Sequence, residues 1–187
     1  MTKKITYFLI STLLFFLLFF TNHNGLFSQD LSGNDPVPVL DGIIKNKEYS
    51  VSIDFKGGKL FISRHKNRLY AGITARTDGW VAIGFNSLRM NNADIIIGYV
   101  KGNSKIVKLQ RGSGRSHRDY DIPYVLKYNI DENNGNTSLE VEVKIGDKPE
   151  DLKFKSDLLN MIIAYGKNDD IRSHHTFRKS VKVKLKN

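Results

Sequence analysis

Met90 and the histidines His65, His117, His174 and His175 are the side chains of this sequence best suited to holding a transition metal. Met90 lies in the polar stretch Asn86-Ser87-Leu88-Arg89-Met90-Asn91-Asn92. An apolar run stands on each side, Gly79-Trp80-Val81-Ala82-Ile83-Gly84-Phe85 before it and Ala93-Asp94-Ile95-Ile96-Ile97-Gly98-Tyr99-Val100 after it. Methionine normally fills gaps in a core. Held at a strand-to-strand corner among asparagines and an arginine, its sulfur is open to another use. A thioether is a soft, weak donor that suits few protein-bound metals, and haem iron is one of them. Met161, inside an apolar run, reads as core filler.

The histidines differ in setting. His65 sits in the basic turn Arg64-His65-Lys66-Asn67-Arg68 and reads as solvated surface. His117 belongs to Gly112-Ser113-Gly114-Arg115-Ser116-His117-Arg118. It reads as surface too, unless that glycine- and arginine-rich loop closes over a carboxylate-bearing ligand. His174 and His175 stand between the acidic Asn168-Asp169-Asp170 and the last apolar run. Neighbouring residues of an extended chain point opposite ways, so at most one of the two is expected to face a given pocket.

Other chemistries lack their signatures. There is no glycine-rich turn of the phosphate-cradling kinds, no His-Glu-x-x-His and no Gly-x-Ser-x-Gly elbow. The chain has 0 cysteines, which excludes disulfides, Fe–S clusters, thiolate metal sites and thioether-linked haem. Hydrolytic catalysis therefore has little positive support, and a methionine–histidine metal site is the candidate these residues leave.

Strands must position these residues. Tyr49–Phe55 alternates with period two; Leu60–Ile62 and Leu69–Ala75 flank the turn at Lys66-Asn67. Trp80–Phe85 and Ala93–Val100 follow, then Lys105–Leu109 beyond Gly102-Asn103, a strong hairpin signal. Tyr124–Ile130 and Thr137–Ile145 are parted by a turn cluster ending in Gly135. Leu158–Tyr165 is a continuous apolar run, and Ser180–Lys186 alternates. One short helical turn is expected within Asp151–Leu159. Many short strands with Gly/Asn turns between them argue a single all-β domain, an antiparallel sandwich.

The first 28 residues read as a secretory signal peptide: Lys3 and Lys4, an apolar run over Ile5–Phe20, and small Ser28 as the last residue removed. A retained membrane anchor is the alternative. Residues 29–39 form a lead-in, and the domain runs over 40–187. The expected location is secreted, periplasmic or cell-surface. The formal charge of +10 falls by two if Lys3 and Lys4 are removed. A basic exported domain suits an anionic surface, acidic polysaccharide or an acidic redox protein, and nucleic acid is not expected.

Gly79–Phe85, the loop bearing Met90, and Ala93-Asp94-Ile95-Ile96-Ile97-Gly98 come in an order that resembles the DOMON domain family. Leu40-Asp41-Gly42-Ile43 with Glu48-Tyr49 looks like the family's opening. Ile163-Ala164-Tyr165-Gly166, an acidic loop, His174, Arg178 and Ser180 look like its close. The resemblance implies an Ig-like β-sandwich and one of two roles. The first is a b-type cytochrome, holding non-covalent haem b through one methionine and one histidine and passing single electrons to an external redox partner. The second is a module that binds carbohydrate or another small ligand; a structural or adhesive domain is a third possibility. On the first, Met90 matches the methionine before the Ala-Asp-Ile strand, and His174, four residues before Arg178, matches the histidine. His175 stands where glycine is common and Lys179 where glycine is usual, so His175 is the alternative ligand. Trp80, Phe85, Ile97 and Tyr165 would wall the porphyrin, and Arg89 or Arg172 would meet its propionates. On the second, aromatic rings would stack on sugar, and Asp94 would bind an ion or anchor its turn.

Overall fold

The computed structural model describes residues 27–45, 47–153 and 157–185. The apolar segment expected to be a signal peptide lies outside them, up to residue 26. The described residues form twelve strands and no helix: β1 (Phe27–Leu31), β2 (Val51–Phe55), β3 (Gly58–His65), β4 (Arg68–Ala75), β5 (Val81–Phe85), β6 (Asp94–Lys101), β7 (Ser104–Ser113), β8 (Ser116–Asp119), β9 (Val125–Asn133), β10 (Asn136–Lys144), β11 (Leu158–Tyr165) and β12 (Phe177–Leu185). They build a seven-stranded sheet, β1-β12-β11-β5-β6-β7-β8, and a five-stranded sheet, β2-β3-β4-β10-β9. All pairs are antiparallel except β1 with β12. This is the expected all-β Ig-like sandwich.

Period-two alternation decides which residues meet between the sheets. Val81, Ile83 and Phe85 of β5, Ile96 of β6, Met161 and Ile163 of β11, and Val181 and Val183 of β12 face inward. They join Ile53, Leu60, Ile62, Ile73, Leu139 and Val141 from the other sheet in one core. Met161 is 0% exposed, the gap-filler expected. Leu31 of β1 is also fully buried in this core, so the lead-in supplies a strand as well as a tether. The helical turn expected within Asp151–Leu159 is not formed in its described part. Leu152, fully buried, instead makes a parallel bridge to Ile145, and β11 begins at Leu158; residues 154–156 lie outside the described set.

The opening motif clasps the outer face of the five-stranded sheet. Glu140, 0% exposed, accepts hydrogen bonds from the Tyr49 hydroxyl at 2.7 Å and from the Gly42 amide at 2.8 Å. Leu40, Tyr49 and Tyr70 pack beside it. Burial raises the Glu140 carboxyl above the usual glutamate range, and its two donors offset part of that rise.

Candidate functional site

The outward side of the seven-stranded sheet carries a second apolar cluster. Ala82, Gly84, Ile95, Ile97, Ile162 and Ala164 fall on this side by register: Gly84 opposes Ile95 and Ile162, and Ala82 opposes Ile97 and Ala164. Trp80, Ala82, Ala93, Ile95 and Ile97 are buried there, with Met90, Tyr99, Ile162, Ala164 and Ile171 packed against them. An outward sheet face in water is ordinarily polar. This one is made of small and aliphatic residues and covered by two loops, one from each end.

The first loop, residues 86–92, carries Met90. Asn86 and Asn92 begin and end it with left-handed backbones, φ 66° and 62°, a conformation asparagine tolerates better than most residues. Asp94, 1% exposed, fixes its start. The Asp94 carboxylate accepts from Asn86 Nδ2 at 2.8 Å, from the Tyr124 hydroxyl at 2.5 Å and from Arg111 Nε at 2.8 Å, with Arg111 Nη2 also donating. Asp94 thus anchors the turn. The loop then reaches across the face: the Ser180 hydroxyl of β12 donates to the Leu88 carbonyl at 2.7 Å. On the other side Asn92 N donates to the Gly112 carbonyl at 2.9 Å. Gly112 is required there. A Cβ on it would lie 1.8 Å from the Met90 carbonyl oxygen and 3.0 Å from Met90 Cγ.

The second loop, residues 166–176, carries His174 and His175. Trp80 ties it down: its backbone N donates to the Asn168 carbonyl at 3.1 Å, its carbonyl accepts from Gly166 N at 2.9 Å, and its Nε1 donates to Ser173 Oγ at 3.3 Å. Gly166 allows that approach, since a Cβ there would sit 2.3 Å from Trp80 Nε1. His174 is exposed and His175 half-buried. Their ring centroids lie 4.9 Å apart. The expectation that they point opposite ways does not hold, because the chain bends here before β12 begins. Burial lowers the His175 pKa below its ordinary value, with the neighbouring His174 and Arg178 adding to that shift. Its imidazole is therefore neutral, with one nitrogen lone pair free, near pH 7.

The structure thus places Met90 and the two histidines on loops that flank one apolar face from opposite ends. Gly84, beneath the first loop, and Trp80, beneath the second, are four residues apart on one chain, or about 13 Å of strand. Of the four expected wall residues, Trp80 and Ile97 lie on this face. Phe85, 0% exposed, and Tyr165, 8% exposed, do not: alternation turns both into the inner core, where Tyr165 stacks on Phe177. Arg172 pairs with Asp170 at 3.2 Å, and Arg89 is exposed. Arg178, opposite Ala164, and Lys108, opposite Ile97, are basic residues that register sets beside the apolar strip.

His117, expected in a loop, lies instead in β8, opposite Gly112. It lines an open cavity of about 490 Å³ with Tyr99, Lys108, Gln110 and residues 169–172. Ser113-Gly114, a turn dipeptide, is the one local signal in the sequence for that hairpin.

A model of the DOMON domain matches residues 45–166. No curated protein sequence matches the chain. Among solved structures, the cytochrome b domain of pyranose dehydrogenase from Coprinopsis cinerea aligns with TM-score 0.55 at 8% identity, covering 79% of this chain and 87% of that one. The cytochrome domain of Myriococcum thermophilum cellobiose dehydrogenase aligns with TM-score 0.49 at 13% identity, over 73% and 81% of the two chains. A family 9 carbohydrate binding module from Caldicellulosiruptor kristjanssonii, in complex with cellotriose, aligns with TM-score 0.51 at 12% identity, over 85% and 94%. At such identities the likeness is one of fold.

Proposed function

The chain belongs to the DOMON family, and from that premise we propose that it binds haem b on the outward face of its seven-stranded sheet and acts as an exported single-electron carrier. One observation carries this reading: the loop with Met90 packs on the apolar strip from one end, and the loop with His174 and His175 packs on it from the other through Ile171.

The residues present fit such a group. Met90 supplies a thioether from one side. His174 supplies an imidazole from the other by its spacing to Arg178, with His175 as the alternative. Between them lie Ala82, Gly84 and Ala164, and Ile95, Ile97, Ile162 and Trp80 add apolar walls. Arg178 can meet a propionate. Iron held by methionine and histidine has no open position and a raised potential, which suits outer-sphere electron transfer. The protein's own part is to exclude water, present the two donors and keep the histidine unprotonated. For the last, the lowered pKa of His175 removes competition from a proton at neutral pH. Arg178, Lys182 and Lys184 project from β12 and are exposed, a basic row beside the site that suits an acidic redox partner.

Haem titration of the purified protein tests the reading. A Soret band that saturates at one haem per chain is expected. Met90→Ala should weaken binding at least about tenfold, the loss of one coordinate bond or strong contact. Of His174→Ala and His175→Ala, only the ligand's variant should do the same. A titration without a Soret shift in the wild-type protein would sink the proposal.

A further inference from the structure

Sulfur in this chain belongs to methionine alone: it has 0 cysteines and 3 methionines. Among the described residues the two thioethers are those of Met90 and Met161. A thioether is oxidised to a sulfoxide, a polar group in place of an apolar one, where oxidant can reach it. Met161 is 0% exposed and sealed in the core between the sheets. Met90 is half-buried and packs on the apolar strip from a surface loop. It therefore meets solvent on one side and the strip on the other. Access to oxidant and a consequence of oxidation come together at this one methionine.

The loop is held by bonds that leave the Met90 side chain out. Ala93 N donates to the Met90 carbonyl at 3.0 Å, and Asn92 N to the Gly112 carbonyl at 2.9 Å. Ser87 Oγ donates to the Asn91 carbonyl at 3.0 Å, and Gly114 N to Asn91 Oδ1 at 3.0 Å. The backbone thus keeps its course whatever happens to the sulfur. A sulfoxide oxygen is a strong acceptor, and burying it without a donor is costly. Ala82, Ala93, Ile95 and Ile97 beneath it are apolar, and Trp80 Nε1 already donates to Ser173 Oγ. Retreat toward β7 is blocked, because Gly112 lies so close that a Cβ on it would be 3.0 Å from Met90 Cγ. The oxidised side chain has water as its partner and must swing off the strip to reach it.

We infer that Met90 is a peroxide-sensitive latch on this face: a hydroperoxide converts its thioether to the sulfoxide, and the side chain leaves the strip. With hydrogen peroxide, a sulfur lone pair attacks one oxygen. The S–O bond forms as the O–O bond breaks, and sulfur is oxidised by two electrons. The proton on the transferred oxygen passes to the departing hydroxide, which leaves as water. Methionine sulfoxide reductases, one for each epimer, reverse the change. The effect on haem rests on the reading above, in which Met90 ligates iron; the oxidation and the release of the strip do not, and are read in haem-free protein. The ¹⁵N-labelled full chain is treated with hydrogen peroxide and followed by peptide mass spectrometry and amide NMR. One added oxygen is expected on Met90 while Met161 stays unoxidised, with amide shifts in residues 86–97 and none in the β9–β10 hairpin. The two reductases together should restore the starting spectrum, and Met90→Leu should keep its amide positions through the same treatment. The Met90 sulfoxide should then bind haem at least about tenfold more weakly than untreated protein. Equal oxidation of the two methionines in the folded chain, or a Met90 sulfoxide whose strip amides keep their positions, would overturn the inference. A sulfoxide that binds haem as well as untreated protein would overturn both it and the iron ligation by Met90. Peroxide-driven shifts in a protein that gives no Soret band would uphold the latch and overturn the haem reading alone.

Discussion

Trp80→Ala is expected to lower stability by about 3–5 kcal/mol, the usual cost of truncating a buried aromatic, and with it the melting temperature by roughly 10 °C. Trp80 is 5% exposed and joins two levels of the structure. Its ring closes the apolar strip against Ala82, Ile97 and Ile171, and its Nε1 and backbone hold the loop that bears the histidines. The loss should therefore be uneven. Hydrogen exchange at residues 168–175 should accelerate more than exchange in β10, on the other sheet. Trp80→Phe keeps most of the packing and removes only the bond to Ser173, so about 1 kcal/mol is expected. Thermal unfolding followed by circular dichroism, with exchange read by mass spectrometry, checks both. Equal acceleration across the sandwich would show that Trp80 serves the core alone and does not tether the loop.

Asp94→Ala should cost about 3 kcal/mol. The carboxylate is the single acceptor on which Asn86, Arg111 and Tyr124 converge. Removing it leaves the buried Tyr124 hydroxyl without that acceptor and frees the Arg111 guanidinium, which stays stacked over Tyr120 at 4.3 Å. The guanidinium side chain is 37% exposed, which keeps the cost below that of a fully enclosed charge. Asp94→Asn retains one acceptor oxygen and should recover part of the loss. Chemical denaturation of the two variants measures the difference. The Met90 loop is the element that should loosen, since Asn86 at its start loses its 2.8 Å bond to Asp94 and keeps only a 3.3 Å bond to the Tyr124 hydroxyl. An Asp94→Ala protein as stable as wild type would mean that the cluster contributes nothing beyond what water replaces.

Strands with clean alternation are legible in the sequence alone. Glu140-Val141-Glu142-Val143-Lys144-Ile145 alternates charged and apolar residues and β10 follows that alternation, but its outward face is not wet throughout, because the opening motif buries Glu140. β8 is not legible, because Ser116-His117-Arg118-Asp119 has no apolar member to mark a period. β1 is hidden for a different reason: Phe27-Ser28-Gln29-Asp30-Leu31 shows no clean apolar alternation, although Leu31 is fully buried in the core. The loops that carry Met90 and the two histidines illustrate a sharper limit. Spacing and motif order point to Met90 and to the histidine pair. That both lie over one sheet face depends on contacts such as Ser180 with Leu88, 92 residues apart in sequence, which no local pattern encodes. The expected porphyrin walls divide between the two faces for the same reason. Trp80 and Phe85 belong to one apolar run, but five residues of strand put them on opposite faces, and only pairing with β6 and β11 shows which face is outward. The bent approach to β12 likewise brings His174 and His175 together where an extended chain would part them.

Electron paramagnetic resonance of the oxidised, haem-loaded protein tests the central claim most directly, because spin state reports whether the iron has two strong axial ligands. A low-spin signal is expected for the wild-type chain, turning high-spin in Met90→Ala and in the variant of whichever histidine ligates. A high-spin wild-type signal, or a low-spin signal untouched by Met90→Ala and by the His174→Ala/His175→Ala double variant, would contradict it.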